Sequence, residues 1–288
     1  MSKNFRPIVN VIEPEQVIEG AGVRLRRAFG PNPENLFDPF LLFDHFYFDD
    51  PIEGPITGFP THPHRGIETV TYMLEGSMRH RDSLGNTGVI GPEAVQWMTS
   101  GRGILHEEMP KRDASGKVNG FQLWVNLPAK LKMTTPSYQE VEAEQIPIGE
   151  QGGAKVRIVA GNYAGEEGAV TEIAAQPIYM DVRVEAGAEF NLDIAATHNA
   201  YAYLFEGQGE FGAGDEALQV EATRMLVFGE GDSIRAESDK GMRFLLLAGA
   251  PFKEPVVPYG PFVMNTAAEI QQTFQDLRDG TFVDQSAI

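Results

Sequence analysis

Apolar residues fall in short, mostly alternating runs along this chain, and glycine or proline closes nearly every run. Ile8-Val-Asn-Val-Ile12 is β-branched and alternates weakly; Gly20 to Phe29 alternates better. Phe37 to Phe48 carries six aromatics, a density that predicts a segment packed over a core or lining a pocket. Glu68-Thr-Val-Thr-Tyr-Met-Leu-Glu75 and Val118 to Leu127 read as strands from their β-branched and aromatic content. Between them Gly76, Gly85, Gly88, Gly91, Gly101 and Gly103 punctuate the chain, the signature of short strands in a barrel or sandwich. Helical character is confined to the C-terminus. There Thr266-Ala-Ala-Glu269 forms a capping box, Ile270, Phe274 and Leu277 share one face, and Gly280 is the stop.

The pattern repeats. Thr71-Tyr-Met-Leu-Glu-Gly76 returns as Ala202-Tyr-Leu-Phe-Glu-Gly207, an offset of 131, and Gln96 to Gly101 is echoed by Met225 to Gly229. Two copies of one β-domain follow. Between Pro128 and Glu150 the alternation fades into a Pro-, Thr- and Glu-rich stretch. The expected domains are therefore 1–135, and 136–288 with the C-terminal helix.

Composition removes several function classes. The chain has 288 residues, 23 basic against 41 acidic side chains and a net charge of −18, which disfavours direct contact with nucleic-acid phosphates. Arg24-Leu-Arg26-Arg27 is the one candidate basic patch, and a solvated strand end is its simpler reading. With no cysteine, thiolate catalysis, disulfides and Cys-ligated metals are excluded, so any metal must sit on imidazole and carboxylate. No signal peptide and no apolar run of about 18 residues is evident, so a soluble, cytoplasmic protein is expected. Gly207-Gln-Gly-Glu-Phe-Gly212 matches a dinucleotide fingerprint but lacks the following helix, and reads as a hairpin turn.

Four of the six histidines lie between Gly58 and Pro110. In an extended segment, residues i and i+2 share a face. His62 and His64 can thus aim at one point, and His106 and Glu108 have the same spacing. Either pair alone reads more simply as a surface loop or a polar turn. Together they offer three imidazoles and a carboxylate with open positions, suited to Fe(II), Mn, Co, Ni or Cu(II). Glu107 should point to the opposite face, into solvent. His80 is expected at the rim, His45 in the core, and the lone His198 should leave the second copy without a metal.

Beyond spacing, the chain resembles the pirin family, bicupins of the cupin superfamily. The likeness rests on His62-Pro-His-Arg-Gly66, Gly101-Arg-Gly-Ile-Leu-His-Glu-Glu-Met-Pro110, Leu41-Leu-Phe-Asp-His45, Gln122-Leu-Trp-Val-Asn-Leu127 and Gly260-Pro-Phe-Val-Met-Asn-Thr266. It implies an all-β fold of two tandem cupin, jelly-roll-like β-barrels with a short C-terminal helix. It also implies one metal, most often Fe2+, held in the N-terminal barrel by His62, His64, His106 and Glu108. Glu68 stands where many other cupins place a ligand and is expected to support the site or the fold. The resemblance further implies a quercetin 2,3-dioxygenase that opens a flavonol or related enol with O2 and releases carbon monoxide, with Glu108 as the base. Phe43, Phe46, Phe48 and Phe59 are candidate pocket walls. The alternative it carries is a non-enzymatic, iron-dependent redox-sensing regulator acting on a protein partner. A monomer is expected, with no nucleic acid and no membrane.

Overall fold

β-Branched and aromatic residues dominate Ile67–Glu75 and Val118–Asn126, and both are nine-residue strands paired side by side. The computed structural model describes residues 3–48 and 58–283. Contacts divide these residues into two compact units. The metal-candidate unit runs from Glu15 to Ala143 and takes back the chain from Phe252 onward. The second unit has the chain up to Pro14 together with Glu144–Pro251.

In the first unit a seven-stranded antiparallel sheet runs in the order Ser137–Val141, Val95–Thr99, Ile67–Glu75, Val118–Asn126, Phe40–Phe48, Val23–Phe29, Glu15–Glu19. A four-stranded sheet has the order Phe59–His64, Ile104–Lys111, Ser77–Asp82, Thr87–Ile90. The two sheets face each other: Thr71 of the first hydrogen-bonds Glu108 of the second. At one end the space between them is filled by Leu25, Phe46, Met73, Met78, Ile90 and Val118. Burying such apolar side chains stabilises by about 1.5–3 kcal/mol each. The cavity described below adjoins this cluster and shares Leu25 and Phe46 with it.

The second unit is built on a ten-stranded sheet among the described residues. Its hydrophobic core includes Phe190, Phe211, Phe244, Met180 and Leu246, all fully buried. Internal similarity is visible in the register: Tyr72 pairs with Val95 in one unit, and Tyr203 pairs with Met225 in the other. Gly76, after the strand Ile67–Glu75, and Gly207, within the strand Asn199–Phe211, share a left-handed backbone, with φ of 73° and 76°. A side chain at Gly76 would lie 2.8 Å from the carbonyl oxygens of both Lys111 and Lys117. The GxGxxG stretch lies largely within the strand Asn199–Phe211, whose hairpin to Leu218–Glu221 turns at Gly214–Glu216.

The units differ in two ways from a division at residue 135. Ile8–Ile12 pairs with Arg224–Phe228, which takes the N-terminal strand into the second unit. The C-terminal helix, Ala267–Asp279, packs Ile270, Phe274 and Leu277 on Phe262, Met264 and Phe282 within the first unit. Local signals at the helix ends are as expected. Thr266 Oγ1 accepts from Glu269 N at 3.2 Å, Asn265 N donates to Glu269 Oε2 at 3.1 Å, and Gly280 adopts φ 71°. Local chemistry sets where the helix starts and stops; the unit it joins is decided by long-range apolar contact. No helix among the described residues is long and apolar enough to cross a membrane.

Gly76→Ala and Gly207→Ala each force a left-handed backbone and a carbonyl clash. Each is expected to destabilise its own unit by about 1–3 kcal/mol, read from its unfolding transition in urea.

Candidate metal centre

Strand Phe59–His64 lies antiparallel to Ile104–Lys111, with His64 opposite Ile104 and His62 opposite His106. A register shift between His106 and Glu108 then brings Glu108 opposite Phe59. Strand alternation aims His62 and His64 to one face, and cross-strand pairing adds His106 to the same point. The result is a cluster of three imidazoles whose candidate ligand atoms all lie within 4.8 Å of one another. His62 Nε2 is 3.1 Å from His64 Nε2 and 3.0 Å from His106 Nε2.

The other ring nitrogens assign the protons. His62 Nδ1 is 2.9 Å from the Pro60 carbonyl oxygen and His64 Nδ1 is 3.3 Å from that of Pro261. A carbonyl only accepts, so both Nδ1 atoms carry hydrogen, and in the neutral rings both Nε2 atoms then present lone pairs. Two such lone pairs 3.1 Å apart have no proton between them. This three-imidazole donor set fits a divalent first-row transition metal. Burial, followed by the neighbouring His62, pushes His64 down to about 3, so its imidazole is neutral and free to ligate at ordinary pH. His106 lies well below the usual histidine value, chiefly by burial and then through His64, His62 and His80.

Glu108 is buried beside the cluster, its Oε2 3.9 Å from His106 Nε2. Its Oε1 accepts from Thr71 Oγ1 at 2.9 Å, and Thr71 Oγ1 also lies 3.1 Å from Gln122 Oε1. Burial raises the Glu108 carboxyl above the usual range, opposed by His62, Thr71 and His80. Glu107 points away from this cluster, as alternation demands. It is not simply solvated: its carboxylate lies 3.6 Å from Arg79 and 3.4 Å from Arg81.

Glu68 occupies the face of its strand opposite to Thr71. Its oxygens accept from Trp97 Nε1 at 3.2 Å and Thr99 Oγ1 at 2.9 Å. Its role is thus in the packing of the sheet. His45 is buried with Nε2 2.9 Å from Asn119 Oδ1, in line with a core histidine. His80 is not at the rim. It is 2% exposed, stacks on Tyr138 and lies 2.6 Å from Glu140 Oε1. His198 belongs to the second unit, where its backbone carbonyl accepts from Arg6 Nη1. There the matching strand pair places Leu192 opposite Ile234 and Phe190 opposite Ala236.

A cavity of about 560 Å³ opens onto His62, His64 and Glu108. Its apolar walls are Leu25, Leu42, Phe46, Phe59 and Trp124, and Gln122 supplies a polar edge. Phe46 and Phe59 line it as expected. Phe43 does not; it is buried against Phe121 and Phe29, because alternation turns it to the other sheet face. The Phe48 side chain falls outside the described residues. Arg27 is no solvated strand end: it lines the cavity, with Nε 2.8 Å and Nη2 2.7 Å from the Asp44 carboxylate and Nη1 2.8 Å from Glu19. Thr71, Gln122, Trp124 and Pro261 carry no spacing signal of their own and emerge only from the fold.

A pirin family model matches residues 22–125, and a pirin C-terminal cupin domain model matches residues 179–283. The chain is 44% identical over 279 residues to a pirin-like protein of Caulobacter vibrioides, covering 96% of this chain and 99% of that one. It belongs to the pirin family. Human pirin is 42% identical over 283 residues, with 97% of this pirin chain and 94% of the human protein covered. Among solved structures, a quercetin 2,3-dioxygenase from Acinetobacter baumannii superposes with a TM-score of 0.86 at 32% identity, covering 96% of this pirin and 98% of that chain.

Burial pushes the Glu68 carboxyl from 4.5 up to about 7, against the pull of the Trp97 and Thr99 hydrogen bonds. A folded-state value above the unfolded one means the folded chain holds the proton longer. The penalty is absent below about pH 4.5 and fully present above about pH 7, on the order of 3 kcal/mol. Glu68→Gln is therefore expected to gain stability over the parent as pH rises from 5 to 8, measured by urea unfolding at each pH. Parallel profiles would contradict it.

Proposed function

We propose that this chain is an iron-dependent dioxygenase of the pirin type, opening the oxygen heterocycle of quercetin-like flavonols with O2 and releasing carbon monoxide. In this reading each unit is a cupin barrel and the chemistry belongs to the first. The carrying observation is the convergence of three histidine Nε2 atoms, with the Glu108 carboxylate beside them, next to a largely apolar cavity of about 560 Å³ that His62, His64 and Glu108 line. That volume is in the range of small-molecule sites.

His62, His64, His106 and Glu108 are the proposed ligands, with Fe2+ the proposed metal. When bound there, it supplies Lewis acidity toward an enolic hydroxyl and a redox-active centre for O2. Glu108 takes the hydroxyl proton. Its raised affinity for protons, from burial, makes it a better base than an exposed carboxylate. Thr71 Oγ1, donating to Glu108 Oε1, holds one oxygen in place and leaves Oε2 toward His106. Phe46, Phe59, Leu42 and Trp124 grip flat rings and keep water from the reacting edge.

Oxygen uptake with quercetin tests the reading. Iron-loaded protein is expected to turn over, His64→Ala to lose activity to background, and Glu108→Gln to fall about 10²–10⁴-fold in kcat. Absence of turnover above the His64→Ala control with iron, manganese, cobalt, nickel or copper would overturn it.

A further inference from the structure

His62 and His64 both donate Nδ1–H to a backbone carbonyl, but the two carbonyls differ in origin. That of Pro60 lies on the same strand, two residues away. That of Pro261 lies 197 residues further along the chain, in the hairpin formed by Val257–Tyr259 and Phe262–Met264. His64 is therefore aimed by a strap from the C-terminal segment.

The strap is fastened beside the ligand. Val263 N donates to Arg65 O at 3.1 Å, and Arg65 N lies 3.5 Å from Pro261 O. The Lys132 ammonium, 1% exposed, donates to Val263 O at 2.7 Å, to Gly66 O at 2.8 Å and to Asn126 Oδ1 at 2.6 Å. One buried cation thus ties the strap to the strand end two residues past His64. The fit is close: a Cβ on Gly66, which has φ 80°, would sit 2.2 Å from Val263 O. Arg65 adds a second tie, with Nη1 2.6 Å from Asp276 Oδ2 and 3.2 Å from Thr273 Oγ1 of the helix, and its guanidinium over Phe282.

We infer that the C-terminal strap, clamped by Lys132, is a positioning element of the metal centre that holds His64 in its Nδ1–H form with Nε2 toward the metal. Lys132 and Pro261 touch neither substrate nor metal in this scheme. They act through His64, and the inference rests on the metal reading above. Partners of this kind typically alter metal affinity by about 10–100-fold.

Zn(II), a diamagnetic probe, separates the possibilities in full-length protein. By competition titration Lys132→Met is expected to weaken Zn(II) binding about tenfold or more. In ¹⁵N-histidine spectra of the Zn(II)-loaded protein, the Nδ1 resonance of His64 should move while those of His62 and His106 stay. Asp276→Ala, which leaves Lys132 in place, should shift the same resonance less and serves if Lys132→Met does not fold. If the parent chain binds no Zn(II), the metal reading falls and this one with it. If the parent binds and both the affinity and the His64 resonance are unchanged in the variants, the strap inference alone is overturned. Equal movement of all three histidines would also overturn it, since that marks general loosening.

Discussion

Two imidazole nitrogens 3.1 Å apart with no proton between them are the constraint on which this unit turns. Such an arrangement is unfavourable in isolation and persists because the surroundings impose it. The Pro60 and Pro261 carbonyls hold the protons on the far side of each ring. Strand register then brings His106 opposite His62, and burial keeps the His64 and His106 rings neutral. The seven-stranded sheet contributes Thr71, which orients the carboxylate, and the apolar wall beyond it. Fold and prospective chemistry meet in one electrostatic requirement: a positive centre amid converging lone pairs.

The two units show how one topology accommodates different interiors. Where the first sets His62 opposite His106, the second sets apolar residues opposite one another: Leu192 faces Ile234 and Phe190 faces Ala236. The Glu-Gly step of each unit keeps the same left-handed glycine, whatever fills the space behind it. Backbone and contents have separate determinants.

Much of the site could be read from the sequence, because its logic is local. The i, i+2 rule groups His62 with His64 and His106 with Glu108, and turns Glu107 away; the capping box and Gly280 bound the helix. What escaped was non-local. His80 sits in a charged-looking hairpin, yet its strand position buries it against Tyr138 and Glu140. Arg27 resembles a solvent-facing base until Asp44, on the next strand, claims it with two hydrogen bonds. Pro261 is a main-chain acceptor and so has no side-chain signature. The crossing of the chain ends between units was invisible as well, because a Pro- and Thr-rich link looks the same whether or not the chain later returns.

That return has a consequence for how the protein is made. Synthesis proceeds from the N-terminus, so His62, His64, His106 and Glu108 all emerge before the strap exists. The whole Glu144–Pro251 segment must then be synthesised before Pro261 can reach His64. Assembly of the centre in this way waits on synthesis of the chain through Pro261: a nascent chain that stops short of it has the histidines without the carbonyl that orients one of them. The order of the chain itself delays the finished pocket until the strap has been made.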